Sequence, residues 1–285
     1  PLLRCLRPEE GKRVLDELHA GVCSNHIKSR ALHFRALRLG YYWPTMKGDA
    51  KELVQRCHKC QKHAPVQQTP ATDLVPLTSP WPFAQWGLDL LGPFSPPAQG
   101  QRKYIIVAVD YFTKWAEAEA LSTITERNVQ AFVHKNITTR FGVPHSLVMD
   151  NGRQFDCDKF CEYCEKYHIE PHYTSVAHPQ SNGQVESMNK TIVTSLKKKI
   201  DKYPGKWADE IPNVLWGYRT THRTSTGETP YRLAFGSEVV LPIELELPNI
   251  RTSDLDHTAN QISLRANLDT MEETLDIVRR RVAAY

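Results

Sequence analysis

The sequence predicts an α/β fold: a mixed sheet flanked by helices, preceded by a small all-α domain stapled by a metal and followed by a helical extension. Three observations carry that expectation. Residues 83–236 hold strand-like apolar runs first and helix-like runs last, an order that suits a sheet covered by helices. Five prolines between Ala64 and Pro82 break the chain, because no helix or central strand tolerates them at that density. Upstream of that break, residues 1–64 read as short helices bearing His and Cys at metal-ligand spacing. With 285 residues, the chain exceeds one compact core at ~100–200 residues per domain.

Composition narrows the class. Hydrophobic residues make up 40% and charged residues 24%, with a mean hydropathy of -0.48, a globular and water-soluble profile rather than a disordered or collagenous one. No run approaches the ~20 apolar residues of a membrane helix. The opening Pro1-Leu2-Leu3-Arg4-Cys5 is no signal peptide. Lacking an initiator Met, the chain is expected to be cut from a larger polyprotein or to be a partial reading frame. Seven cysteines, an odd number at uneven spacing, argue against a secreted disulfide scaffold and for an intracellular protein. The formal charge of +4 is unevenly spread: residues 1–64 carry 13 Lys and Arg against 6 Asp and Glu, and the rest of the chain carries 23 against 26. A basic N-terminal quarter, with a second run at Lys197, Lys198, Lys199, Lys202 and Lys206, suits a polyanionic partner.

The elements come in order. Helices are expected at 13–19, 29–39 and 47–57 in the domain spanning 1–64, then a proline-rich linker at 65–82. The domain spanning 83–236 is expected to hold strands at 84–94, 104–109 and 114–121. A helix at 126–141 comes next, stopped by Gly142 and Pro144. Beyond it lie a short strand at 147–149, a helix at 158–167, a strand at 169–173, and helices at 184–202, 207–221 and 230–235. An extended connector is expected over 237–256. In 257–285, Leu264, Leu268, Met271, Leu275, Val278 and Val282 recur at alternating spacings of four and three, an a/d seam.

Four residues in the basic quarter point to a metal. His19 and His26 are separated by six residues, His26 and Cys57 by thirty, and Cys57 and Cys60 by two. A Cys-x-x-Cys turn holds two thiolates near one tetrahedral Zn²⁺, and imidazoles commonly complete the set. A domain of this size also needs such a staple. His33 competes as a ligand but sits mid-helix. Cys157, Cys161, Cys164 and His168 recur along one helical stripe about 16 Å long at ~1.5 Å per residue, too spread for one ion, and read as a packing face.

Three acids sit where the backbone turns. Asp89 lies in the first strand, Asp150 ends an apolar strand before Asn151-Gly152, and Glu186 opens a helix after a turn-rich loop. Sixty residues separate the first pair and 35 the second. Carboxylates at strand ends plus one on a facing helix can hold two hard divalent cations. On physical grounds alone Asp110, closing the second strand, is an equal third candidate. Lys190 and Lys197 share the Glu186 helix face, a cationic stripe suited to a phosphate backbone leaving the metals.

These motifs together resemble a known family. His19-x6-His26-x30-Cys57-x2-Cys60, with Gly40-Tyr-Tyr-Trp-Pro44 between, is similar to the zinc-binding N-terminal domain of gypsy-like LTR-retrotransposon integrases. Asp89, Asp150-Asn-Gly-x-Gln-Phe155 and Pro179-Gln-Ser-Asn-Gly-Gln-Val-Glu186-Ser-Met-Asn-Lys190 resemble the integrase catalytic core, a ribonuclease-H-like fold. Thr229-Pro-Tyr-Arg-Leu-Ala-Phe-Gly236 and Leu241-Pro-Ile243 resemble the stretch after the core in that group. The resemblance implies two Mg²⁺ or Mn²⁺ ions at Asp89, Asp150 and Glu186 and one structural Zn²⁺ at the four N-terminal ligands. It sets Asp110 aside as a non-ligand. It implies 3′-end processing of element DNA and strand transfer into target DNA, with Gln180 and Asn182 contacting DNA ends and Lys190 a phosphate. A homo-multimer, chromatin factors as further partners, and a nuclear or particle-bound location are implied by the same resemblance. Family members usually continue into a β-barrel domain, so the chain is expected to be truncated before it. Met149 replaces a usual Ser and points away from the acids if the strand alternates. Two competing readings share the fold or the chemistry: a catalytically silent relic or host-adopted binding module, and a ribonuclease H, which would explain neither the zinc ligands nor the 35-residue spacing.

Overall fold

The computed structural model describes residues 3–63, 79–150, 152, 155, 157–174, 183–199, 204–249, 252, 261, 265–266 and 269–284. It divides into two compact units, one formed by Pro1–Gln67 with Trp216–Arg280, the other by Gln68–Leu215 with Arg281–Tyr285. Among the described residues no helix is long and apolar enough to cross a membrane.

In the first unit, a short strand β1 (Arg4–Cys5) pairs in parallel with β2 (Tyr41–Tyr42), a ladder absent from the expected all-α plan. Helices α1 (Pro8–Ala20), α2 (Ser29–Arg38), α3 (Met46–Arg56) and α4 (His58–Lys62) fill out its N-terminal part. Proline at the first turn and Glu10 reaching back to the Arg7 N–H start α1 five residues earlier than the periodicity suggests. Gly11 is required there: a Cβ would lie 2.8 Å from the buried Trp43 ring. Val14, Leu15, Leu18, Leu32, Ala36 and Met46 form the core, and Leu241, Ile243 and Leu247 complete it. Those last three flank or belong to a helix at Pro242–Glu246, where the sequence suggested an extended connector. Residues 216–236, assigned from sequence to the sheet domain, also group with the N-terminal helices. An apolar triplet spread over seven residues shows no strong period, so its partner was not legible.

The second unit is built on a five-stranded sheet with order β5-β4-β3-β6-β7. Its strands are β3 (Gln85–Leu91), β4 (Tyr104–Asp110), β5 (Ala116–Leu121), β6 (Ser146–Asp150) and β7 (Glu170–Thr174). The first three form an antiparallel meander, and β6 and β7 add in parallel. Helices α5 (Glu126–Val133) and α6 (Thr139–Phe141) are joined by a π-type turn at His134–Thr138, so the expected single helix is interrupted in its middle. α7 (Asp158–Lys166) precedes β7, and α8 (Gly183–Lys199) comes after it. Both faces of β4 are buried from Ile105 to Asp110, so the sheet is covered on both sides. Phe141 packs on Trp86 while Asn189 of α8 reaches Asp89; an odd separation of three residues along β3 puts these on opposite faces. Beyond α9 (Ile211–Arg219), α10 (Pro230–Phe235) and α11 (Pro242–Glu246), the chain ends in α12 (Met271–Ala284). Val278 of the expected seam is buried on α12; Leu264 and Leu268 lie outside the described residues, as does most of the 65–82 linker.

Asp110 has a structural task. Its carboxylate accepts from the Thr113 N–H (2.7 Å), the Thr113 hydroxyl (2.6 Å) and the Phe83 N–H (3.1 Å), closing the turn into β5. Burial pushes its carboxyl up to about 6, against those bonds and the Lys114 charge, which pull down. The folded state therefore holds a proton that the unfolded chain gives up nearer 3.8. Stability is fully present below that value and is lost as pH rises to about 6. Asp110→Asn is expected to flatten this slope, read as the difference in urea midpoint between wild type and variant across that window.

Candidate metal centre and acidic site

The N-terminal cluster is assembled from two helix ends. His19 lies in the last turn of α1, which stops at Gly21. The loop then folds back: the Ser24 hydroxyl donates to the Gly21 carbonyl (2.8 Å) and the His26 N–H to the His19 carbonyl (3.1 Å). His26 adopts φ 49°, the left-handed region, which turns its ring onto that of His19 at 4.8 Å and an interplanar angle of 84°. Cys57 sits between α3 and α4, and Cys60 lies one helical turn later. The four ligand atoms lie within 4.8 Å of one another. His26 Nδ1 is 3.3 Å from His19 Nε2 and 3.4 Å from Cys57 Sγ; Cys60 Sγ is 3.4 Å from His19 Nε2. A tetrahedron with Zn–N of ~2.0–2.1 Å and Zn–S of ~2.3 Å has edges of roughly 3.3–3.8 Å. The donor set therefore fits one such ion in size and chemistry. Both histidines are buried and the cysteines half-buried, as a closed structural site requires.

Among the described residues, the other histidines and cysteines do not join it. Half-buried His33 lies on α2, where burial and the Lys47 charge lower its pKa. Cys164 is buried on α7, and that burial pushes its thiol up to about 12, the behaviour of an inert packing residue. Among the described residues no second cluster of metal-ligating groups occurs.

The acids are arranged by the sheet. β3 and β6 pair in parallel with Gln85 opposite Ser146, Trp86 opposite Leu147 and Gly87 opposite Val148. Carrying that register two residues further sets Asp89 level with Asp150 on the neighbouring strand. Adjacent strands lie ~4.8 Å apart and level residues share a face. Asp89 is half-buried; its Oδ1 accepts from the Leu90 N–H (2.7 Å) and its Oδ2 from the Asn189 amide. Asp150 is exposed at the strand end, where the Gly152 N–H donates to it (3.2 Å). Met149 is fully buried, on the opposite side of the alternation from Asp150. Tyr111 senses the same region: burial first, and the Asp89 charge second, raise its hydroxyl pKa.

Glu186 belongs to α8, three residues before Asn189, whose side chain touches Asp89. Positions three apart lie on neighbouring helix faces. Asn189, Ile192, Ser195 and Leu196 are buried, whereas Lys190 and Lys197 are exposed. Glu186 falls by helical phase between those two stripes, at the border of the sheet-facing and solvent-facing sides. The Glu186 side chain itself, Gln180 and Asn182 lie outside the described residues. Sequence reasoning missed Asn189 and Tyr111. The i, i+3 relation to Glu186 was a usable signal for Asn189; nothing in the sequence marked Tyr111.

The sequence matches two family descriptions in succession. Residues 7–66 match the integrase zinc binding domain and residues 80–179 the integrase core domain. Gypsy retrotransposon integrase-like protein 1 of Bos taurus is 29% identical over 97% of this chain and 53% of its own length. The Pro-Pol polyprotein of feline foamy virus is 29% identical over 71% of this chain and 17% of its own. The chain thus spans about half of the first relative and a smaller part of the second. A chain from a simian T-cell lymphotropic virus intasome in complex with PP2A regulatory subunit B56 gamma shares the fold, with a TM-score of 0.51, 20% identity, and 80% and 76% of the two chains covered. The chain therefore carries an integrase zinc-binding domain followed by an integrase core domain.

Proposed function

We propose that this protein is a polynucleotidyl transferase that processes the 3′ ends of element DNA and joins them to target DNA. The observation that carries the reading is the parallel β3–β6 register, which runs to Gly87 opposite Val148 and, continued by two residues, would bring Asp89 level with Asp150, while Asn189 of the helix that bears Glu186 reaches Asp89. Hard carboxylate oxygens of this kind fit Mg²⁺ or Mn²⁺, and Asp89, Asp150 and Glu186 would hold the ions. When bound, a metal pair supplies charge stabilisation to the attacking and leaving oxygens of an in-line phosphodiester displacement.

The chain's own groups do the rest. Asn189 and the Leu90 N–H each hold one oxygen of Asp89 and together orient the carboxylate. The open position of Asp150 gives a DNA strand access. Lys190 and Lys197 continue outward from Glu186 and suit the phosphates of a bound strand, while Gln180 and Asn182 offer amide groups to the DNA end. In end processing, water attacks phosphorus and the bond to the 3′ oxygen breaks, releasing a 3′-hydroxyl. In strand transfer that hydroxyl attacks a target phosphodiester, and the displaced target 3′ oxygen leaves with a proton. Both steps exchange one P–O bond for another, so one arrangement of acids serves both. A multimer holding two ends, contacts with chromatin factors, and residence in the nucleus or in element particles accord with this chemistry.

Reversal of strand transfer on branched DNA in Mn²⁺ tests the reading with a single reaction. Wild type is expected to resolve the branch and Glu186→Gln to be inactive while folded. Equal inertness of two folded proteins would favour a silent relic that keeps the fold as a binding module.

A further inference from the structure

We propose that Trp216–Asn249 is a working part of the metal module: Gly217 and Thr220, acting through Asn25 and Arg35, position the Cys23–His26 loop and so set how tightly the His19, His26, Cys57 and Cys60 cluster holds zinc. The proposal rests on the zinc reading of that cluster and adds residues that no ligand pattern contains.

The loop needs outside support. His26 stands in the left-handed region, a strained place for a non-glycine residue that persists only where surroundings hold it. Two contacts supply that hold from residues nearly two hundred positions away. A Cβ on Gly217 would lie 2.8 Å from the Cγ and Nδ2 of Asn25, the residue before His26, so glycine lets the α9 backbone press directly on that buried amide. Arg35 is 4% exposed, and its Nη2 donates both to the Cys23 carbonyl (3.2 Å) and to the Thr220 hydroxyl (2.7 Å). The Thr220 hydroxyl in turn donates to the Trp216 carbonyl (2.9 Å), so its free lone pair is aimed at Arg35.

A buried guanidinium is expensive, and burial lowers the Arg35 pKa. Its Nε and Nη1 find no partner among the described residues, and Arg35 and Glu238 both line a cavity of about 20 Å³. Apolar residues would fill this place at less cost. A cation retained there is explained by what its Nη2 fastens together: the ligand loop on one side and the distal segment on the other. Further bonds keep that segment in place. Arg38 Nη2 donates to the Gly227 carbonyl (2.8 Å) and Nη1 to Glu228 (3.0 Å), and the Asn249 amide donates to the Leu39 carbonyl (2.7 Å). Arg35 and Thr220 are therefore positioning residues for the zinc ligands.

The experiment measures Zn²⁺ affinity of the full chain by chelator competition and records the visible spectrum of the Co²⁺-loaded protein. Thr220→Val removes the acceptor at nearly constant shape, and Thr220→Ser keeps it; Arg35→Met removes the cation. Outer groups that orient ligands typically contribute about 10–100-fold in affinity. Arg35→Met and Thr220→Val are expected to lower Zn²⁺ affinity by about tenfold or more and to alter the Co²⁺ bands, whereas Thr220→Ser should match wild type. Arg13→Ala, which breaks an exposed ion pair with Glu246 of the same segment, should leave both readouts unchanged. Folded Thr220→Val with wild-type affinity and spectrum would overturn the proposal, even if Arg35→Met fails to fold. If wild type and Cys57→Ser alike bind no Zn²⁺ or Co²⁺, the zinc reading itself fails, a distinguishable result.

Discussion

Asp150→Asn is expected to reduce strand transfer and its reversal by at least about 10³-fold while leaving the fold intact. An amide cannot supply the charge a hard divalent cation needs, and metal-borne stabilisation is worth several kcal/mol at ~1.4 kcal/mol per tenfold. The exposed position of Asp150 at the end of β6 makes the fold tolerant of the change, since only the Gly152 N–H is bonded to its carboxylate among the described residues. Asn189→Ala offers a graded comparison. It keeps all three acids and loses one of the groups that orient Asp89, so about 10–100-fold is expected. Turnover on branched DNA checks both, and near-identical thermal unfolding of the three proteins excludes a folding defect. Equal losses would assign Asn189 a role beyond orientation.

The second large effect is on stability. Cys57→Ser should reduce bound zinc from about one ion per chain to none and remove the cooperative unfolding of the unit containing residues 3–63. Structural zinc contributes roughly 10–16 kcal/mol of apparent free energy in small zinc-binding peptides, more than such a core supplies alone. Zinc analysis together with calorimetry of the full chain reads the outcome. The sheet unit should keep its own transition, because the four ligands all belong to the other unit. A zinc-free variant with both transitions unchanged would show that the core of Val14, Leu18, Leu32 and Met46 is self-sufficient.

Much of the site was legible because chemistry concentrated in spacing. The Cys57-x-x-Cys60 turn and the two upstream histidines brought four donor atoms to within 4.8 Å of one another. Asp89 and Asp150 each lie in or close a short apolar run, but Asp110 does so too, and only the family resemblance separated them in the sequence. Asp110, an equal candidate on spacing, is buried and accepts two bonds from Thr113 in its own turn and one from the distant Phe83 N–H, a structural task that no local pattern announced. What stayed hidden depended on long-range packing. Leu241, Ile243 and Leu247 read as a connector because too few apolar positions show a period. The Arg35–Thr220 bond spans 185 positions, and no local pattern announces a buried arginine with such a partner. The β1–β2 ladder is only two residues on each side, below what alternation can signal.

Residues 89, 150 and 186 should surround one shared site for a pair of divalent cations, and metal-directed backbone cleavage would reveal such a site. The zinc-loaded protein would be given Fe²⁺ with ascorbate and peroxide, and the fragments mapped by mass. Cuts at all three positions together are expected, suppressed by excess Mg²⁺ and absent in Asp150→Asn. Cuts near only one of them, or a pattern that excess Mg²⁺ does not change, would contradict it.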